Sequence, residues 1–352
     1  MPTNNAILTR LGLRYPIIQA PMAGTSTPAL AAAVSNAGGL GSLGLGNVST
    51  DVAREQIRQL KQLTDKPFNI NMFCHTPDPT DAQREAAWLQ RLQPWFAEFS
   101  AEAPKQLDKG YDSFVGNRAM LDVLLEERPP VVSFHFGLPD VDAIAELQQA
   151  GIFLMGCATS LEEARAIEAA GLDAIVAQGY EAGGHRGLFD PKQESGLLLD
   201  DLLAQLKDTI ELPVVATGGL MDGKDISRVL AAGASAAQLG TAFISCPESA
   251  APQAYRDQLL SDNAQETAVT AIFSGRPARG MVNRSHREIG PYAAELAGYP
   301  QAYSAAKALH AAAVAKGSHD FAPYWAGTSA HRSRALPAAG LMACLVEEMQ
   351  QA

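Results

Sequence analysis

His185 stands in the run Gly183-Gly184-His185-Arg186-Gly187. An imidazole ordinarily titrates near 6.5, so it can take a proton from a substrate around neutral pH. The flanking glycines would let a flat ring system come close to it. The plain alternative is a histidine on a surface loop. Two further pairs, Gly218-Gly219 and Gly240-Thr241, follow short apolar runs. Backbone without side chains can approach a phosphate and offer its N–H groups, and two such pairs in succession favour that use over simple turns. His135 also ends an apolar run, where it could meet a ligand or only a neighbouring loop. Tyr299, Tyr303 and Lys307 fall four residues apart and so share one face if that segment is a helix. Two phenols and an ammonium could receive a small anion there, or could form an ordinary solvated face. Cys157 has no base near it in sequence and reads as a buried structural thiol.

These residues need elements to hold them. Apolar runs at 17–21, 40–43, 68–72, 131–134, 152–155, 174–177, 214–216 and 237–239 lack period-two alternation, as strands buried on both faces do. Helical stretches lie between them, at 27–37, 51–63, 160–169 and 222–232 among others. Ala37-Gly38, Ala150-Gly151, Ala170-Gly171 and Ala232-Gly233 each close a helix before a strand. Eight strand–helix units predict an α/β protein built as a TIM (β/α)8 barrel, with an open doubly wound sheet as the rival. The candidate residues then sit after strand ends, where this fold carries its chemistry, and the two pairs fall after strands 7 and 8, where it commonly binds phosphate. Gly39, Gly41 and Gly44 match G-x-G-x-x-G but run from a helix into a strand, the wrong context for a dinucleotide site; tight packing of strand 2 explains them. Residues 74–130 are too long for one connection and predict added helices beside strand 3. Residues 247–324, rich in Ala, Tyr and Gln, predict a helical cap, after which the chain returns as the closing helix.

Composition narrows the partners. The chain has 352 residues and a net charge of −11, which argues against nucleic acid, whose phosphates demand clustered Lys and Arg. Cys74, Cys157, Cys246 and Cys344 are widely spaced, without a metal-site pattern. The uncharged run 15–50 is too rich in Pro, Gly, Asn and Ser to span a membrane as a helix. With no apolar signal core near Met1, a cytoplasmic protein with reduced thiols is expected. A homodimer is left open.

Several segments together resemble the nitronate monooxygenase family, formerly called 2-nitropropane dioxygenase. They are Gln19-Ala20-Pro21-Met22-Ala23-Gly24, Asn69-Ile70-Asn71, residues 177–187, Ala216-Thr217-Gly218-Gly219 and Gln238-Leu239-Gly240-Thr241, and the similarity resumes at Tyr324-Trp325-Ala326-Gly327. Glu181-Ala182-Gly183-Gly184-His185 is the most specific piece; the others also occur in related reductases. The resemblance implies FMN in the barrel mouth, with Asn71, Gln178 and Gly183 against the isoalloxazine. Gly219 and Gln238, Leu239, Gly240 and Thr241 would hold the ribityl phosphate, and Met22 and Gly218 complete the cofactor set. It makes His185 the catalytic base for neutral nitroalkanes, and Tyr111, His135, Tyr299, Tyr303 and Lys307 the substrate pocket. The implied reaction oxidises an alkyl nitronate, such as propionate 3-nitronate, with O2 to a carbonyl compound and nitrite. On this view 1–246 with 325–352 form the FMN-binding barrel and 247–324 the cap. Two rivals stand beside it: an FMN-dependent NAD(P)H:quinone or enoyl reductase on the same fold, and a non-catalytic barrel that binds a flavin or sugar phosphate.

Overall fold

The structure, a computed structural model, describes residues 5–290 and 294–352. Eight parallel strands form its centre: β1 (Ile17–Gln19), β2 (Gly41–Gly44), β3 (Phe68–Phe73), β4 (Val131–His135), β5 (Phe153–Ala158), β6 (Ala174–Gln178), β7 (Val214–Thr217) and β8 (Ala236–Leu239). From β2 to β8 each strand pairs with its sequence neighbour, and β8 pairs with β1 in the register Ile17 to Ala237. The seam between β1 and β2 closes through Ile18 and Leu40, with Gln19 N–H donating to the Leu40 carbonyl at 2.9 Å. The sheet is therefore a closed barrel, as the apolar runs predict, and an open doubly wound sheet is excluded.

The helices are punctuated as their sequences dictate. Thr27, Ser49, Ser160 and Asp222 cap the helices Pro28–Asn36, Thr50–Leu63, Leu161–Ala169 and Gly223–Ala231 with side-chain oxygens. Gly38, Gly151, Gly171 and Gly233 take φ between +79° and +109°, the left-handed turn that returns the chain to the barrel. The final helix, Ala338–Gln351, lies between Gly223–Ala231 and Pro28–Asn36 and completes the outer ring. Glycines 39, 41 and 44 pack as strand 2 requires: a Cβ on Gly41 would stand 1.9 Å from the Ala31 carbonyl oxygen.

A second apolar core lies apart from the barrel. Trp88, Leu92 and Phe96 of the helix Ala82–Glu98 meet Ala302, Leu309 and Phe321. The long segment after β3 thus adds the helices Ala82–Glu98 and Arg118–Glu127, as expected. The segment 247–324 is not purely helical. Besides the helices Gln253–Leu259 and Ala302–Val314 it holds an antiparallel hairpin, Thr267–Thr270 with Ala278–Met281, whose second strand pairs with Gly184–His185. Three of the four residues of Thr267–Thr270 are β-branched, a strand preference that four residues among alanines conceal. The expected face of Tyr299, Tyr303 and Lys307 also needs correction. The helix begins at Ala302, so Tyr299 lies outside it. Pro300 disfavours helical backbone in the residue before it, which is Tyr299.

Candidate active site

The C-terminal ends of the strands surround a cavity of about 200 Å³. Met22, Asn71, Gln178, Gly183, Gly218, Gly219, Gln238, Gly240 and Thr241 all line it, together with Tyr111, His135, His185 and Tyr303. Leu239 does not. Successive strand residues face opposite ways, so Gln238 points to the mouth while Leu239 is buried in the core between barrel and helices. Lys307 is exposed and outside the lining, with its Nζ 4.5 Å from the centre of the Tyr303 ring. Tyr299 is buried behind the wall and reaches the site through its hydroxyl, 2.6 Å from that of Tyr111.

One side of the cavity is backbone. Gly218 and Gly219 have φ of +132° and +69°, values that favour glycine. The N–H groups of Gly218, Gly219 and Gly240 have no acceptor among the described residues. The Thr241 hydroxyl accepts from Gly327 N–H at 3.1 Å, joining strand 8 to the returning segment. Gly183 is pressed against that same segment: a Cβ there would lie 2.5 Å from the Ala326 carbonyl carbon and the Gly327 nitrogen.

The loop after β6 is held by Gln178. Its Oε1 accepts from Arg186 Nη1 and Gly187 N–H, both at 2.9 Å, and its Nε2 donates to the His185 carbonyl at 3.1 Å. Arg186 is buried and paired with Glu194 at 2.7 Å. Asn71 is fixed by donating to the Ser133 hydroxyl at 2.9 Å. His135 Nε2 lies 3.2 Å from the His185 carbonyl, which can only accept, so Nε2 carries the proton.

His185 Nε2 is 2.8 Å from the Ser274 hydroxyl, and its ring packs near Phe136, Tyr299 and Trp325. Burial, aided by His135 and Arg276, holds its pKa down to about 3. Burial likewise holds His135 at about 4. Both imidazoles are neutral at pH 7. The lone pair needed to accept a proton is therefore present, but at lower basicity than an ordinary histidine offers. Cys157 lines the cavity, and burial lifts its thiol to about 12, the direction opposite to that of an activated nucleophile.

Sequence reasoning missed four residues here. Tyr255 and Trp325 line the cavity, Ser274 meets His185, and Arg276 lies behind the aromatic wall. The Arg276 guanidinium sits 4.6 Å from the Phe136 ring centre and 5.5 Å from that of Tyr299, and donates to the Leu188 and Phe189 carbonyls. Trp325 fell within a segment carrying the resemblance; the other three had no sequence signal. No cluster of three or more His, Cys, Asp or Glu able to hold a metal occurs among the described residues. No helix among them is long and apolar enough to cross a membrane.

A closed (β/α)8 barrel whose cavity is lined both by bare amides after strands 7 and 8 and by histidines and aromatic rings defines a class of cofactor-using barrel enzymes. Comparison narrows the class. The family model for nitronate monooxygenase matches residues 5–348. The nitronate monooxygenase of Paraburkholderia phytofirmans is 54% identical over 98% of this chain and 95% of its own, and that of Pseudomonas aeruginosa 53% identical over 97% of each. Among solved structures, a nitroalkane oxidase from Streptomyces ansochromogenes matches with a TM-score of 0.89 at 43% identity, covering 99% of both chains. FabK from Thermotoga maritima matches at 0.76 and 28% identity, covering 99% of this chain and 97% of its own. The chain belongs to the nitronate monooxygenase family, a family of flavin-dependent oxidoreductases.

Proposed function

We propose that the chain uses FMN to oxidise alkyl nitronates, such as propionate 3-nitronate, with O2 to a carbonyl compound and nitrite. The observation that carries this reading is one cavity joining two unlike walls. One wall is bare backbone at Gly218, Gly219 and Gly240; the other is neutral His185 and His135 with Tyr111 and Tyr303.

The residues fit the cofactor. Amides without acceptors and a threonine hydroxyl suit one terminal phosphate, and the lining supplies one such cradle, which favours FMN over a dinucleotide. Asn71, Gln178, Gly183 and Met22 would border the ring system, with Gly218, Gly219, Gln238, Gly240 and Thr241 at the phosphate. When bound, FMN would take electrons from the substrate and hand them to O2. The protein positions the substrate and manages charge. Tyr111 and Tyr303 are hydrogen-bond donors for a nitronate oxygen, with Tyr299 fixing the Tyr111 hydroxyl. Arg276 adds positive potential from behind the wall, strengthened by the low dielectric around it. For a neutral nitroalkane, His185 would take the carbon-bound proton. The cap, 247–324, would close over the barrel formed by 1–246 with 325–352.

Purified protein should release FMN on heating, and should consume O2 and form nitrite with propionate 3-nitronate. FAD, or no flavin, in the extract would reject the cofactor; no nitrite would reject the reaction. The likeness to FabK keeps a reductase as the second reading. Rapid anaerobic bleaching of the flavin by NADH, without nitronate turnover, would select it.

A further inference from the structure

We propose that Ser274 is a positioning residue that fixes the tautomer of His185, holding the proton on Nε2 and leaving Nδ1 as the lone pair turned to the cavity. This rests on reading His185 as the general base and names the nitrogen that acts.

Ser274 is 1% exposed and has one hydroxyl hydrogen to give. Its Oγ lies 3.2 Å from the Arg276 carbonyl as donor and 3.2 Å from the Arg276 N–H as acceptor. His185 Nε2 is the third neighbour, at 2.8 Å. If the hydroxyl donates to the Arg276 carbonyl, its remaining lone pair must receive a hydrogen from His185, so Nε2 carries the proton. In that arrangement every group is satisfied. Turning the hydroxyl toward Nε2 instead leaves the Arg276 carbonyl without its Ser274 donor, a cost a buried backbone oxygen resists. His185 Nδ1 has no hydrogen-bond partner among the described residues and is not among the enclosed polar atoms, although its residue lines the cavity.

The turn that presents Ser274 is itself anchored to the histidine loop. Gly275, at φ +93°, donates to the Ala271 carbonyl at 2.8 Å. Arg276 then reaches the carbonyls of Leu188 and Phe189, both at 3.2 Å, just after His185-Arg186-Gly187. Ser274 and His185 are thus tied by backbone as well as by their own hydrogen bond. That rigidity makes the serine a fixed reference for the imidazole.

The test uses holoenzyme labelled with ¹⁵N in its seven histidines. The His185 signals are identified as those lost in His185→Asn. The expected wild-type spectrum shows a protonated Nε2 and an unprotonated Nδ1; Ser274→Ala should convert this to a tautomer mixture. Its kcat/KM for neutral nitroethane should fall about 3- to 10-fold, the loss of one neutral hydrogen bond. Turnover of preformed nitronate should stay within about twofold, and Ser274→Thr should restore nitroethane turnover. A wild-type His185 protonated on Nδ1, or equal losses on both substrates in Ser274→Ala, overturns the proposal. Failure of the base reading looks different: His185→Asn would then lose nitroethane and nitronate turnover equally, while the wild-type spectrum still decides which nitrogen Ser274 holds.

Discussion

His75 offers a sharp test of how this site tolerates acid. Its ring is 1% exposed, and neither nitrogen has a hydrogen-bond partner among the described residues. It packs edge-on against Tyr299 at 4.9 Å, Tyr111 at 5.9 Å and Phe136 at 6.4 Å. Burial, with Arg276 adding to it, lowers its pKa from 6.5 to about 4. The sign follows directly. An unfolded chain protonates this histidine below 6.5, the folded chain not until about 4, so acid favours unfolding through that interval. At pH 5 the penalty is about 2 kcal/mol, from 1.5 units at 1.36 kcal/mol each. His75→Phe keeps the ring contacts and removes the titration. Urea unfolding of wild type and variant holoprotein at pH 7.5 and pH 5.0 isolates the effect, because groups common to both cancel. The variant should gain about 2 kcal/mol on wild type between the two pH values, whatever its offset at pH 7.5. A stability difference independent of pH would refute the buried, neutral histidine.

Three other substitutions probe the site. His185→Asn should reduce neutral nitroalkane turnover by roughly 10²–10⁴-fold, the usual share of a positioned base, with a far smaller loss on nitronate in stopped-flow and steady-state assays. Gly183→Ala drives a Cβ into the backbone of Ala326 and Gly327, so thermal unfolding should show a loss of about 1–3 kcal/mol together with reduced flavin content. Lys307→Met should leave KM for a charged nitronate within about twofold, since screening makes an exposed charge count for little. A tenfold rise in that KM would return Lys307 to the pocket.

The barrel was legible because strands covered on both faces must be apolar, and because Ala-Gly pairs mark where each helix turns back. The bare amides at Gly218, Gly219 and Gly240 were legible for the same reason: strand order alone puts them side by side. Tyr299 was misplaced because a four-residue spacing implies a shared face only within a helix, and Pro300 postpones the helix to Ala302. Lys307 keeps the spacing but points to solvent, and nothing in a spacing records which way a face turns. Ser274 lies 89 residues from His185 in sequence, so their contact exists only after the hairpin folds onto the loop. The depressed basicity of His185 is likewise a property of its surroundings, absent from the residue type.

The pairing of Gly184 and His185 with the hairpin of 247–324 bears on how such a chain could change over time. The proposed base springs from a barrel loop, yet its backbone partners, Ala278 and Arg279, and its side-chain partner, Ser274, all come from the later insertion. A bare barrel could carry the amides of Gly218, Gly219 and Gly240, which follow strands 7 and 8, without holding this imidazole in place. The bare amides and the setting of the proposed base therefore come from different parts of the chain. The first is built by the barrel alone; the second also needs the segment 247–324, through Ser274, Ala278 and Arg279.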